Sequence, residues 1–321
     1  MIQISVVIPL FNEEESLPEL TNWISRVMIE HGLTYEIIMV DDGSSDGSWA
    51  VIEKLAADYP IKALKFNRNY GKSAALNIGF KHALGDVVIT MDADLQDSPD
   101  EIPGLYQMIK EGYHLVSGWK KKRHDPISKT IPSKFFNGVT RILSGIKLHD
   151  FNCGLKAYDQ RLVRTLDVYG EMHRYIPVIA KRNGFAKIGE KVVEHRARKY
   201  GTTKFGLERF INGFLDLISI SFVSRYKKKP MHFFGTLGTI SFMLGFLFVG
   251  WIGWVKIRAI YITKTNVYRD VVDQPLFFLA IAAIIVGVQL FLAGFLGEMM
   301  TMNSHRSNDY ILEDSIGVKK S

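Results

Sequence analysis

Through its first 120 residues the chain switches repeatedly between short apolar runs and stretches whose apolar residues recur three and four apart. The runs at 2–9 (IQISVVIP), 35–40 (YEIIMV), 61–66, 87–91 (VVITM) and 114–119 predict strands buried on both faces. Between them, helices are predicted from the Asn12–Ser16 region to about 31, then over 49–58, 71–83 and 101–111. Asn12 or Ser16 is a candidate cap for the first and Asp46 for the second, and Pro99 stands where a first helical turn accepts it. This β-α-β-α alternation predicts an α/β domain with a parallel, doubly wound sheet. Beyond it, 120–131 is basic and poorly patterned and reads as a loop. Helices are predicted near 134–144, 161–166 and 174–183, and a strand over 186–194.

The pattern changes in the C-terminal third. Residues 205–222 carry apolar positions at helical spacing, which fits either an amphipathic helix lying on a bilayer or an ordinary helix packed on the preceding domain. Residues 235–255 hold no charge, and 276–297 hold none either, with Gln289 as a lone polar amide. Each run is long enough to cross ~30 Å of hydrocarbon as a helix. Two crossings put both ends of the chain on one side of the membrane. The intervening loop 256–275 carries four basic residues, as many as 225–229, so charge asymmetry does not fix the orientation. Gly235, Gly238, Gly245, Gly253, Gly287 and Gly294 would permit close helix association, and a homo-oligomer is expected.

Composition sharpens this picture in two places. The net charge is +7, with basic residues gathered at 120–123, 196–204 and 225–229. The last group sits just before an apolar span, which favours an anionic membrane surface or a phosphorylated substrate over nucleic acid. Cys153 is the single cysteine, so no internal disulfide forms, as suits a cytosolic face. The first apolar run is too short and lacks the basic flank of a signal peptide, and it is read as a strand.

The candidate chemistry sits at strand ends. The first predicted strand ends in PLFNE, the second in Asp41-Asp42-Gly43-Ser44, and the fourth in Asp92-Ala93-Asp94-Leu95-Gln96. In an open α/β sheet these carboxyl ends converge on a ligand crevice. Acids at the second end can accept from a base N–H or a ribose hydroxyl. Two aspartates one residue apart offer hard oxygens to a divalent cation and leave room for a diphosphate. A lone D-x-D is also a common surface turn, so the reading rests on the three ends together. No G-x-G-x-x-G follows the first strand, and no G-x-x-x-x-G-K-[ST] occurs, which disfavours nicotinamide and P-loop chemistry.

Several segments taken in order are similar to a known family. VVIPLFNEE, VDDGSSDGS, NYGKSAALNIGFKHALGD and MDADLQDSP resemble the successive signatures of inverting family-2 glycosyltransferases with the GT-A fold, a Rossmann-like, mostly parallel sheet. DFNCGLK at 150–156 and RKYGTTKF at 198–205, followed by two spans, resemble the polyprenyl-phosphate branch, which includes dolichyl-phosphate mannose synthases and bactoprenol glucosyltransferases. The Q-x-x-R-W signature of processive synthases is absent.

The resemblance implies a cytosolic GT-A domain over 1–204, an interface segment over 205–230, two spans at about 233–255 and 276–298, and a cytosolic tail over 301–321, in a bacterial inner membrane. Carried over by position, it implies that Pro9, Phe11, Glu13, Asp41 and Asp42 line the nucleoside and that Lys72 approaches the nucleotide. Asp92 would lie beside the nucleotide, with Asp94 and Gln96 reaching Mg²⁺ or Mn²⁺ and the diphosphate; all three are candidate metal-site residues. Asp150 would stand near the reacting centre, and Arg198, Thr203 and Lys204 would face phosphate, with Lys121, Lys122, Arg123 and Lys134 as looser candidates. Cys153 is read as a buried small residue, and His149, His173 and His195 as structural. Arg174 is left open between an acceptor contact and an acid pair.

The implied reaction joins a nucleotide-sugar donor, UDP- or GDP-linked, to a polyprenyl phosphate, with UDP-glucose and undecaprenyl phosphate as the particular expectation. Other donors of the family (UDP-N-acetylglucosamine, GDP-mannose, modified arabinose) stay open. So do a diacylglycerol acceptor and an inert nucleotide-sugar-binding scaffold. A phosphate monoester is mostly dianionic near neutrality, with its second pKa near ~6, so a strong base is not required of Asp150. In-line displacement would invert the anomeric centre.

Overall fold

The computed structural model describes residues 2–121, 137–142, 144–196, 199, 230–262, 270–303 and 312–317. The candidate amphipathic helix at 205–222, the loop from 122 onward, and Lys122, Arg123, Lys134, Arg198, Thr203 and Lys204 lie outside these residues. The chain forms two compact units, one over 1–221 together with 309–321, the other over 222–308.

The first unit is built on one eight-stranded sheet, in the order β7-β5-β6-β4-β1-β2-β3-β8. Its strands are β1 (Ile4–Leu10), β2 (Tyr35–Asp41), β3 (Ile61–Phe66), β4 (Val87–Thr90), β5 (Leu115–Trp119), β6 (Lys156–Asp159), β7 (Ile188–Val192) and β8 (Leu312–Ile316). β1 pairs in parallel with β2 and β4, and β2 with β3, so the strand order reverses beside β1. That reversal opens the crevice at the carboxyl ends of β1, β2 and β4.

Apolar residues of the central strands alternate between two cores. Ile4, Val6, Ile8, Ile37, Met39, Val87 and Ile89 pack against α1 (Leu17–Glu30), α2 (Ser48–Asp58) and α4 (Ile102–Lys110). Val7, Ile38, Val40 and Val88 face α3 (Lys72–His82) and the short helices α5 (Gln160–Val163) and α6 (Ile176–Arg182). Burial on both faces is why these strands read as unbroken apolar runs. Each fully buried aliphatic side chain contributes ~1.5–3 kcal/mol before entropy is counted.

The sheet is mostly parallel, as expected, with two antiparallel strands that the β-α-β-α alternation did not indicate. β6 inserts antiparallel between β4 and β5. β8 pairs antiparallel with the outer edge of β3, so residues 312–316 of the expected tail are part of the sheet, with Ile316 against the core. The caps differ as well. Asn12 adopts a left-handed backbone, φ +57°, and Ser16 turns its hydroxyl back to the Glu13 carbonyl, so neither side chain caps α1. Asp46 does accept from the Ser48 N–H at the start of α2, at 3.0 Å.

The second unit contains α7 (Pro230–Ile257), which widens into a π-helical turn over Arg258–Ile262, and α8 (Pro275–Asn303). Both are long and apolar enough to cross a membrane. Their outward side chains are bare, Leu247 at 67% and Phe295 at 53% exposure, which a helix of a soluble core would not show. Glycines set the distance between the two helices. A Cβ at Gly238 would lie 2.7 Å from the Gly287 carbonyl oxygen, and one at Gly245 would lie 2.9 Å from that of Ala280. Gly238, Gly245, Gly287 and Gly294 are therefore used within the chain, whereas Gly253 has nothing within 4 Å. Glu298 on α8 accepts the Met231 N–H at 3.1 Å, placing a carboxylate at the positive end of α7.

Candidate active site

The loops after β1 and β2 are tied into one surface. Asn12 N–H donates to Ser44 Oγ at 2.9 Å and Ser45 N–H to Asn12 Oδ1 at 2.8 Å. Glu13 N–H donates to Ser48 Oγ, and Gly47 N–H to Glu14 Oε2 at 2.7 Å. Gly43, at φ +74°, is needed here: a Cβ would lie 2.5 Å from the Arg68 backbone. Pro9 is half-buried, and Phe11 at the edge of this surface is exposed.

The two adjacent acids have separate tasks. Asp41 is fully buried, and its Oδ1 accepts the Ser44 N–H at 2.8 Å. Among the described residues its Oδ2 has no hydrogen-bond partner, an orphaned acceptor at the end of β2, and burial raises its pKa. Asp42 accepts the backbone N–H groups of Tyr70 (2.7 Å) and Gly71 (2.9 Å). Burial lifts its pKa to about 6, against the pull of those two donors. Asp42, expected to line the nucleoside, also fixes with its carboxylate the turn that starts α3.

That turn delivers Lys72 to Asp92, with which it forms an ion pair. Burial works against the Asp92 charge, but Lys72 and then Lys120 hold its pKa down to about 2. Gly154, in the segment before β6, stands against this carboxylate. After Asp92 the chain turns sharply, with Leu95 left-handed at φ +59°. Asp94 and Gln96 are half-buried, and Asp94 Oδ1 accepts the Gln96 N–H at 3.2 Å. The next acid, Asp97, is buried and pairs with Lys120 at 2.7 Å. Burial disfavours the Lys120 charge, but Asp97 outweighs it and raises the lysine's pKa. This pair holds the end of β5 against the D-x-D loop.

The segment after β7 closes on the same loop. His195 and Asp97 form an antiparallel bridge, and Arg196 N–H donates to the Gln96 carbonyl at 2.9 Å. The Arg196 guanidinium lies 4.4 Å above the Trp23 ring, whose Nε1–H donates to Asp100 at 2.9 Å. Residues up to 196 are thus anchored on α1 and on the D-x-D loop.

Asp150 is buried; its Oδ1 accepts the Asn152 N–H at 3.0 Å, and its own N–H donates to Glu190. Cys153 is 2% exposed, and burial pushes its thiol pKa up to about 12, which leaves it inert. His149 pairs with Glu190 at 2.7 Å and stacks on Trp119. His173 shares a hydrogen bond with Ser73, and Arg174 pairs with Glu171 at 3.2 Å.

The structure brings Pro9, Phe11, Glu13, Asp41, Asp42, Lys72, Asp92, Asp94 and Gln96 to the carboxyl ends of β1, β2 and β4. The expected acceptor-phosphate residues are not described. Among the described residues no three His, Cys, Asp or Glu side chains form a ready-made metal cage. The half-buried Asp94 carboxylate with the Gln96 amide fits a cation that takes few protein ligands and completes its shell with diphosphate oxygens. Sequence reasoning missed Trp23, Asp97, Lys120 and Lys156. A run of basic residues flagged Lys120 only as a loop charge, and nothing in the spacing linked it to Asp97.

A parallel-centred sheet with its acids at the switch point is the architecture of a GT-A transferase. Solved structures share it at the level of fold. Glucosyl-3-phosphoglycerate synthase from Mycobacterium tuberculosis, in complex with Mn²⁺ and UDP-glucose, superposes with a TM-score of 0.54 at 22% identity, covering 70% of this chain and 79% of that one. Mannosyl-3-phosphoglycerate synthase from Rubrobacter xylanophilus gives 0.57 at 17% identity, covering 68% and 73%. Residues 5–167 match the family described as Glycosyl transferase family 2, and the chain belongs to that family. It is a glycosyltransferase whose relatives act on polyprenyl phosphates. It is 33% identical over 312 residues to the dodecaprenyl-phosphate galacturonate synthase of Rhizobium johnstonii, covering 96% of this chain and 90% of that one. It is 36% identical over 298 residues to the undecaprenyl-phosphate 4-deoxy-4-formamido-L-arabinose transferase of Shewanella sediminis, covering 92% and 86%.

Proposed function

We propose that the protein transfers a glycosyl group from a nucleoside diphosphate sugar to a polyprenyl phosphate, with inversion, at the cytosolic face of a bacterial plasma membrane. The observation that carries this reading is one chain holding an Asp92–Asp94 crevice at the sheet switch point and two membrane-length helices. Its likeness to two polyprenyl-phosphate transferases along almost its whole length supports the same reading.

Each described residue then has a task. The loops after β1 and β2, with Phe11 exposed and Asp41 Oδ2 open, receive the nucleoside. Asp94 and Gln96 hold Mg²⁺ or Mn²⁺, a divalent ion being supported by the Mn²⁺ in the fold neighbour's complex. When bound, that ion neutralises charge on the departing diphosphate. Lys72 stands one ion pair away, ready to share that task. The acceptor phosphate is already an anion, so the protein must chiefly bring two anions together in line. That task falls to the basic run in the sequence that starts at Arg196, with Arg198, Thr203 and Lys204 as the phosphate ligands. Asp150, buried and engaged with the Asn152 turn, is better placed to hold the 150–156 loop than to remove a proton.

β8 belongs to the same sheet as β1, so the chain crosses the bilayer an even number of times between them. This supports placing both ends of the chain on the donor side. The particular expectation of UDP-glucose differs from the sugars in the names of both relatives, and the donor is left as a nucleoside diphosphate sugar.

The test is incubation of membranes containing the protein with polyprenyl phosphate and a panel of radiolabelled nucleotide sugars, then organic extraction and mass determination of the lipid. A glycosyl phosphoprenol is the expected product. A glycosylated diacylglycerol, or donor binding with no lipid product, would overturn the reading.

A further inference from the structure

The hydroxyl groups of α7 are all satisfied within the helix pair. Thr236 and Thr239 donate to the carbonyls of His232 and Gly235, one turn back, at 2.6 and 2.8 Å. Ser241 donates across to the Ala283 carbonyl of α8 at 2.8 Å. The amide of Gln289 on α8 is treated differently. It is exposed, and it makes no hydrogen bond among the described residues.

The position of this amide makes its isolation costly. In the apolar span Pro275–Met300, Gln289 lies about 2 Å from the midpoint at ~1.5 Å of rise per residue. With α8 across a bilayer, each edge of the ~30 Å hydrocarbon layer is then roughly 15 Å away. A glutamine side chain is too short to carry its amide to either headgroup layer. Lipid tails offer it neither donor nor acceptor, so the amide is strongly disfavoured there until a polar partner arrives.

The surroundings of Gln289 indicate that partner. Leu279, Ala282, Val286, Gln289, Ala293 and Leu296 follow one another three, four, three, four and three residues apart, and every one is exposed. That spacing draws a single seam along α8, the pattern on which helices pack knobs into holes. The seam faces away from α7. Gly287, whose Cβ would lie 2.8 Å from the Phe242 backbone on α7, stands two residues before Gln289, ~200° around the helix. Ala282 and Ala293 are small and leave room for a second backbone beside the amide.

An amide is its own complement, since its oxygen accepts and its NH₂ donates. Copies of one chain inserted the same way up carry Gln289 at the same depth, and a two-fold axis along the membrane normal sets the two amides face to face. We propose that this seam of α8 is the contact surface for a second copy of the chain, with each Gln289 amide hydrogen-bonded to the other. A lone polar residue in an apolar seam also fixes the register of the two helices. The proposal rests on α8 crossing the bilayer and is independent of the donor and acceptor.

The test uses full-length protein in liposomes of phosphatidylcholine and phosphatidylglycerol. Energy transfer between chains labelled through an N-terminal tag, diluted stepwise in lipid, measures association. The native chain is expected to pair, and Gln289→Leu to raise the dissociation constant about 3- to 30-fold, the range for a hydrogen bond between membrane helices. The variant makes the span more apolar, so a loss of insertion is not expected to mimic the result. A second measurement maps the seam by oxidation with copper phenanthroline. Ala293→Cys, on the seam, is expected to form at least about ten-fold more disulfide-linked dimer than Val288→Cys, which is exposed but off it. Cys153 is buried, and the native chain is the uncross-linked control. A native chain that stays monomeric overturns the seam, as does association unchanged by Gln289→Leu or equal cross-linking at the two positions. Release of the protein from membranes by alkaline carbonate would overturn the spanning helices and the seam with them.

Discussion

Gly154 stands so close to Asp92 that a Cβ at position 154 would lie 2.4 Å from Oδ2 and 2.6 Å from Cγ. The aspartate cannot simply swing away, because its other oxygen is held by Lys72. Gly154→Ala is therefore expected to displace the carboxylate while leaving the sheet intact. A misplacement of about 1 Å at a reacting centre costs ~10²-fold in rate. Steady-state transfer with a parallel thermal melt checks this; near-native turnover would show that the contact is not needed.

Asp94 is half-buried at the end of a loop, so its removal should touch the chemistry and spare the fold. Asp94→Ala is expected to lower transfer by roughly 10²–10³-fold, the scale of losing transition-state charge stabilisation. Its melting temperature should stay close to native. Chelation of the native protein should mimic the variant, and added Mg²⁺ or Mn²⁺ should restore the native protein alone. Near-normal turnover by Asp94→Ala would remove it from the metal site.

Asp42 gives a pH signature. Its pKa rises from 3.8 in the unfolded chain to about 6 in the fold, chiefly through burial. For an acid this means that the folded state favours the neutral form. The associated stability, ~3 kcal/mol as an order of magnitude, is complete below about pH 4 and is lost as pH rises through 6. In Asp42→Asn that dependence disappears, so the fall in stability between pH 4 and 6 should become shallower than in the native protein. Denaturant midpoints across that window measure it, and an unchanged slope would contradict the assignment.

Much of the fold was legible because its central strands are buried on both faces. Val87–Thr90 and Tyr35–Asp41 read as strands from composition alone, and their acids fall where the chain must turn. β6 was not legible. Lys156-Ala157-Tyr158-Asp159 is four residues long with a charge at each end, and only its neighbours β4 and β5 make it a strand. The same holds for β8, whose LEDSI sequence takes its register from β3. In the site, the acids were found by position but not by task. Asp42 and Asp41 look alike in sequence, yet one is engaged with the backbone of Tyr70 and Gly71 and the other keeps an oxygen open. Lys120 meets Asp97, and Lys156 lines a slot with Arg174, through pairings that no local spacing encodes.

Deleting residues 312–321 would remove β8 and leave the outer edge of β3 unpaired. It would also remove Ile316 from the core. A loss of roughly 1–3 kcal/mol is expected from the apolar contact and the ladder hydrogen bonds. An unpaired edge also recruits other edges, so self-association should increase. Thermal unfolding and light scattering in detergent would show both effects; a truncated chain as stable and monodisperse as the full one would argue against the strand.

Because β8 follows α8 in the chain, the ribosome delivers the last strand only after both apolar helices have been made. The sheet unit emerges first but stays open along β3 until then. Its last pairing, β3 with β8, is thus the one most distant in the chain, and the sheet cannot be completed until the two long apolar helices have been synthesised.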